Sequence, residues 1–209
     1  MDPLSLAAVS FAVGFSGAVA PGPLFAVVVS SSSKVGFKAG PIATVGHATV
    51  EALMVLMLSL GLSVVFTSPT VKFMVGVVGG CMMIIMALLM LRSVVLNKIS
   101  IEVKKEENRN VLLGGIMATT LNPYWILWWA TIGAAYVVIS LNYGLLGLLV
   151  FYIAHISSDF TWYSLVSLII GYGRKMIKRK HIRIIIGCCA IFLLYVGIQF
   201  ILFGLAYIP

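Results

Sequence analysis

Long apolar stretches separated by short polar ones account for nearly the whole chain, at 4–31, 40–66, 71–96, 111–139, 143–171 and 182–206. A membrane-crossing helix needs about 20 consecutive apolar residues, so each stretch is long enough to span. The pattern predicts an all-α integral membrane protein of six transmembrane helices, with residues 1–209 forming a single membrane domain. Two connections are compact, one at Thr67, Ser68, Pro69 and Thr70, the other around Ser140 to Gly144. Only 97–110 is long and hydrophilic. It mixes Lys98, Lys104, Lys105 and Arg109 with Glu102, Glu106 and Glu107, which suits a solvated loop. No stretch has the basic flank and short apolar core of a cleaved signal.

Composition confirms the class and narrows the function. The chain is 61% hydrophobic and 10% charged, with a mean hydropathy of +1.12, against roughly 25% charged residues in an average soluble domain. Thirteen of the 14 Lys and Arg residues follow the first, third or fifth apolar stretch, and only Lys72 lies on the other side. Cytoplasmic loops are enriched in Lys and Arg. The expected topology therefore has both termini outside and 97–110 in the cytoplasm, in a cell (plasma) membrane. The same placement explains the net charge of +8 through topology and anionic lipid headgroups, with no nucleic-acid partner. The three cysteines include the neighbours Cys188 and Cys189 and form no CxxC pair, so neither a zinc pattern nor a cofactor is expected.

The few polar residues inside the spans are arranged twice. Span one contains Pro21-Gly22-Pro23 and span four Asn122-Pro123. Gly or Asn can cap a helix N-terminus and proline suits its first position, so each reads as a helix restarting within the membrane. Span two carries His47 and Glu51, and span five His155 and Asp159. Positions i and i+4 share a helix face. Glu51 stands 29 residues before Gly80, and Asp159 stands 28 before Gly187. Three spans repeated once must enter the membrane with opposite orientations. The chain is therefore expected to be an inverted 3+3 repeat, 1–96 and 111–209, with the helix breaks in spans one and four.

Depth joins these features. Pro23, Glu51, Pro123 and Asp159 lie 11, 13, 14 and 15 residues from the nearest cytoplasmic cation. At about 1.5 Å per residue that is roughly 16–23 Å. Half the hydrocarbon core is about 15 Å, so all four are expected near the midplane. A restarting helix presents free N–H groups and a partial positive charge, suited to a carboxylate. Pro21, Gly22, Pro23, Asn122 and Pro123 are thus candidate substrate-binding residues. An ionised acid at mid-span costs roughly 2.5–3.5 kcal/mol on insertion scales. Glu51 and Asp159 are therefore expected to be protonated, paired or facing water. Together with His47 and His155 they are candidates for proton coupling. Free N–H groups with two acids suit a zwitterion, an amino acid being the obvious case.

These residues carry a resemblance. Pro21-Gly22-Pro23 in span one, Gly36-Phe37-Lys38-Ala39-Gly40 before span two, Gly46, and Asn122-Pro123 resemble the LysE/RhtB family of small amino-acid exporters. The likeness covers nearly the whole chain. It implies six spans and efflux of amino acids or related metabolites, coupled to entry of protons (or sodium). Many members have a small polar or acidic residue where this chain has His47, and a polar residue where it has Tyr124.

Other readings remain open at this point. His47, Glu51, His155 and Asp159 would also form a mixed N/O site for a divalent first-row cation, making the protein a metal-cation exporter. An intramembrane enzyme is not expected, since neither paired cysteines nor an HExxH motif is present. Trp125, Trp128 and Trp129 read as packing or belt residues. Gly36…Gly40, Gly76…Gly80 and Gly14…Ala18…Gly22 fit close helix contact, including contact between two copies as a homodimer.

Overall fold

A computed structural model describes residues 2–61, 68–96, 108–173 and 179–208. The expected cytoplasmic loop therefore lies, up to residue 107, outside the described residues, as do Thr67, Arg174, Lys175 and Lys178.

The described residues contain helices and no strand. In order they are α1 (Pro3–Ala18), α2 (Pro23–Val35), a 3-10 turn (Gly36–Lys38), α3 (Ala39–Ser59), α4 (Pro69–Val95), α5 (Asn108–Thr120), α6 (Pro123–Trp128), a π-helical segment (Trp129–Gly133), α7 (Ala134–Leu141), α8 (Gly144–Tyr172) and α9 (Arg179–Leu205). Pro23–Ser59, Pro69–Val95, Pro123–Leu141, Gly144–Tyr172 and Lys180–Leu205 are long and apolar enough to cross a membrane. Within the first of these, Gly36 at φ 77° takes the chain out of helical geometry and separates α2 from α3.

Several starts follow the expected chemistry. Asp2 caps α1, with its Oδ1 accepting from the amides of Leu4 and Ser5 at 3.0 and 2.9 Å. Ser68 precedes Pro69 at the head of α4. The α7–α8 connection is as tight as its sequence suggests, with Gly144 at φ 62° where a side chain would be strained.

Burial departs from that of a water-soluble protein in what is exposed and in which polar groups lie among the apolar core. Leu53 on α3, Leu88 and Leu89 on α4, Leu145 on α8 and Ile191 on α9 are exposed, whereas Thr44, His47, Glu51, Thr119, His155 and Asp159 are buried. An apolar exterior around a polar interior is stable only where the surrounding solvent is lipid.

Packing pairs α1 with α8, α3 with α5, and α4 with α9. The small residues make these approaches possible. A Cβ on Gly76 would strike the backbone of Gly204, and one on Gly80 would lie 2.6 Å from the Gly197 carbonyl. Gly14 and Gly40 face α8 in the same way. The spacings that suggested contact between two copies are therefore taken up inside one chain, and they carry no argument for a homodimer.

Candidate functional site: a buried histidine–carboxylate cluster

Both helix breaks form where expected. Gly22 is extended (φ −140°, ψ −170°) and Pro23 opens α2, while Asn122 (φ −95°, ψ 102°) precedes Pro123 at the head of α6. The two breaks are not equivalent. Asn122 Oδ1 accepts the Tyr124 amide at 3.1 Å, filling part of its own helix terminus. Gly22 has no side chain to do this, so the first-turn amides of α2 have no side-chain cap. The two restarts thus differ in how many first-turn amides carry a side-chain cap.

The His/acid pairs of α3 and α8 meet in the interior. His47 Nε2 lies 3.1 Å from Glu51 Oε1 and 3.8 Å from Asp159 Oδ1. His155 Nε2 lies 3.3 Å from Glu51 Oε2 and 3.9 Å from its own neighbour Asp159. The pairing read along each helix thus holds for His47 and Glu51, whereas His155 leans across to the acid of the other helix. Gly14 is one reason for its position, since a Cβ there would sit 2.7 Å from His155 Nδ1.

Four participants, of three kinds, escaped the sequence reading. The indole N–H groups of Trp125 and Trp129 donate to Glu51 Oε1 at 3.0 and 3.1 Å. Trp128 lies against the His155 ring, with ring centroids 4.9 Å apart. The view of these tryptophans as packing residues holds, since all three sit in one buried apolar cluster, and Trp125 and Trp129 in addition supply donors that a buried carboxylate requires. The π segment contributes to the placement. Trp129 folds its ring back over Gly133, where any Cβ would collide with it, and such local widening of a helix recurs at functional sites. Thr119 is the third kind of addition, its Oγ1 lying 2.7 Å from His47 Nδ1. A tryptophan four residues from another was a usable signal, since both then share a helix face.

The four titratable residues, Thr119, Trp125 and Trp128 border a cavity of about 60 Å³. Pro21, Gly22 and Asn122 line it together with the four titratable residues, while Pro23 and Pro123 do not. The prolines act by starting α2 and α6. Among the described residues no lysine or arginine lines the cavity, so the acids there are balanced by imidazolium, by a proton or by cargo. The volume admits a few waters, whereas pockets for drug-sized ligands run to roughly 300–1,000 Å³. Glu51 Oε2, His155 Nδ1 and Asp159 Oδ2 are buried without a hydrogen-bond partner among the described residues. One donor atom each from His47, Glu51 and Asp159 also fall within 4.8 Å of one another.

The family model for LysE type translocators matches residues 15–204. The chain belongs to the LysE-type translocator family. No curated protein and no solved structure matches it. The matched residues include both helix breaks, both His/acid pairs and the three tryptophans, so the whole buried cluster belongs to the translocator domain.

Proposed function

We propose that this translocator is a secondary exporter of amino acids or related small metabolites, driven by proton entry, with sodium as the alternative coupling ion. The observation that carries the reading is the meeting of Glu51 and Asp159, from two different helices, at a cavity with no lysine or arginine among its described lining residues. Such a site favours a cargo with a cationic end. The uncapped amides of α2 beside Gly22 offer the complementary place for a carboxylate. Admission of an amino acid to so small a cavity requires neighbouring helices, α1 and α8 or α3 and α5, to part.

An inverted 3+3 arrangement fits this role. In it α1 and α2, α3 and α4 correspond to α5 with α6 and α7, α8 and α9. Two packings support the correspondence. Exchanging the halves turns the α1–α8 contact into the α5–α3 contact, and turns α4–α9 into itself. The placement of positive charge supports a plasma-membrane protein with both termini outside, its cationic rim seated among anionic lipid headgroups.

The test is reconstitution into liposomes loaded with labelled amino acids. An imposed proton gradient is expected to accelerate amino-acid movement. Glu51→Gln or Asp159→Asn should abolish that coupling, with Asp159→Asn leaving a folded protein; wild-type transport by both variants would remove the acids from the mechanism. A second reading, export of a divalent cation, is favoured by the three donor atoms of His47, Glu51 and Asp159. Thermal-shift titration separates the two. Amino acids stabilise the purified protein under the first reading, and manganese or zinc salts under the second.

A further inference from the structure

The two acids look interchangeable along the chain, since each follows a histidine by four residues. Their surroundings are not alike. Glu51 Oε1 accepts two indole N–H groups at 3.0 and 3.1 Å and has His47 Nε2 at 3.1 Å, while Oε2 has His155 Nε2 at 3.3 Å. Four nitrogens from three parts of the chain therefore converge on one carboxylate. Asp159 has no such set. Its histidine neighbours stand off at 3.8 and 3.9 Å, beyond hydrogen-bond reach. Like Glu51 Oε2, its Oδ2 is buried with no hydrogen bond, but His155 Nε2 stands 3.9 Å from it against 3.3 Å from Glu51 Oε2, and both acids border the cavity. A carboxylate hidden from water with an empty lone pair is costly until a donor arrives.

We propose that Glu51 is a fixed scaffold carboxylate that holds the cluster together, and that Asp159 is the acid that binds the ammonium group of the cargo. The assignment rests on the amino-acid export reading and divides the work within that site. An ammonium carries three donors and no acceptor, which suits Asp159, the acid that both histidines leave beyond hydrogen-bond reach. With the ammonium there, the carboxylate end turns to the uncapped start of α2 at Gly22, because Asn122 already occupies its own helix terminus. The side chain of the cargo is then left to the apolar wall of Met83, Phe192 and Leu193.

The experiment uses the full chain purified in detergent. Melting temperatures are measured for wild type, E51Q, D159N and W129F, and binding is measured for L-alanine and L-leucine against their 2-hydroxy-acid counterparts, which exchange the ammonium for a hydroxyl. E51Q is expected to lower the melting temperature on the order of 5–10 °C through loss of the shared acceptor, and D159N by less than about 3 °C. Wild type should prefer the amino acids at least about tenfold, and D159N should bring the two classes within about twofold. W129F removes one donor to Glu51 and keeps the ring, so it keeps the scaffold question answerable if E51Q does not accumulate. It should melt a few degrees lower and retain the tenfold preference. A D159N protein that still prefers amino acids, or that loses as much stability as E51Q, overturns the division of roles alone. A wild type that no amino acid stabilises overturns the export reading itself.

Discussion

Thr119 has a single hydroxyl hydrogen, and its Oγ1 lies 2.8 Å from the Gly115 carbonyl one turn earlier on α5. With that hydrogen directed to Gly115, the oxygen is left to accept from His47 Nδ1 at 2.7 Å. The bond fixes which edge of the imidazole faces the carboxylates, much as a neighbour of a metal-binding or catalytic histidine does. Replacing Thr119 by valine keeps the shape and removes the acceptor, leaving a buried ring N–H unpaired at a cost of about 1–3 kcal/mol. The expected result is a lower melting temperature and weaker cargo binding in T119V, both restored in T119S. Equal behaviour of the two variants would show that the hydroxyl has no such role. Nothing along the chain announces this residue, because one threonine among several in an apolar run gains its meaning from what the fold sets opposite it. Trp125 and Trp129 stand similarly. Their spacing was visible, and their partner was not.

At the level of single helices, both ends of the first membrane segment can be tested. Asp2 caps α1, and the hydroxyl of Ser5, followed by its amide, holds the Asp2 carboxyl below the usual carboxylate range. A lowered value means that the cap contributes fully above the ordinary carboxylate pKa of about 3.9 and is lost as pH falls through the folded value. Amide exchange of Leu4 and Ser5 should therefore lose protection in acid, and Asp2→Asn should remove that pH dependence. At the other end, Pro23 opens α2 without lining the cavity. Pro23→Ala should let the helix extend backward through Gly22, remove the amide end facing the cavity and weaken cargo binding, as titration of the purified protein would show. Unchanged affinity would reduce the break to a kink. The breaks were legible because proline and glycine act through their own backbones. The difference between them was not, since it depends on where the Asn122 side chain turns.

For the molecule as a whole, the charge distribution and the packing make separate commitments. If thirteen cations mark the cytoplasmic face, then single cysteines placed at Lys72 and Tyr207, in a background lacking Cys81, Cys188 and Cys189, should react with an impermeant maleimide on intact cells. Cysteines at Lys38 and Lys180 should be protected. The reverse pattern would invert the topology. The all-helical membrane class, the interrupted spans and the four titratable residues were determined by the sequence alone. Lipid demands long apolar stretches and internally satisfied backbones, which leave their mark residue by residue. Only the tertiary structure decided that the two pairs share one cavity, that Glu51 collects the donors while Asp159 is left open, and that the glycine spacings are used within one chain. Those outcomes depend on distances between segments remote in sequence, and such distances are set by how whole helices pack, which no local pattern encodes.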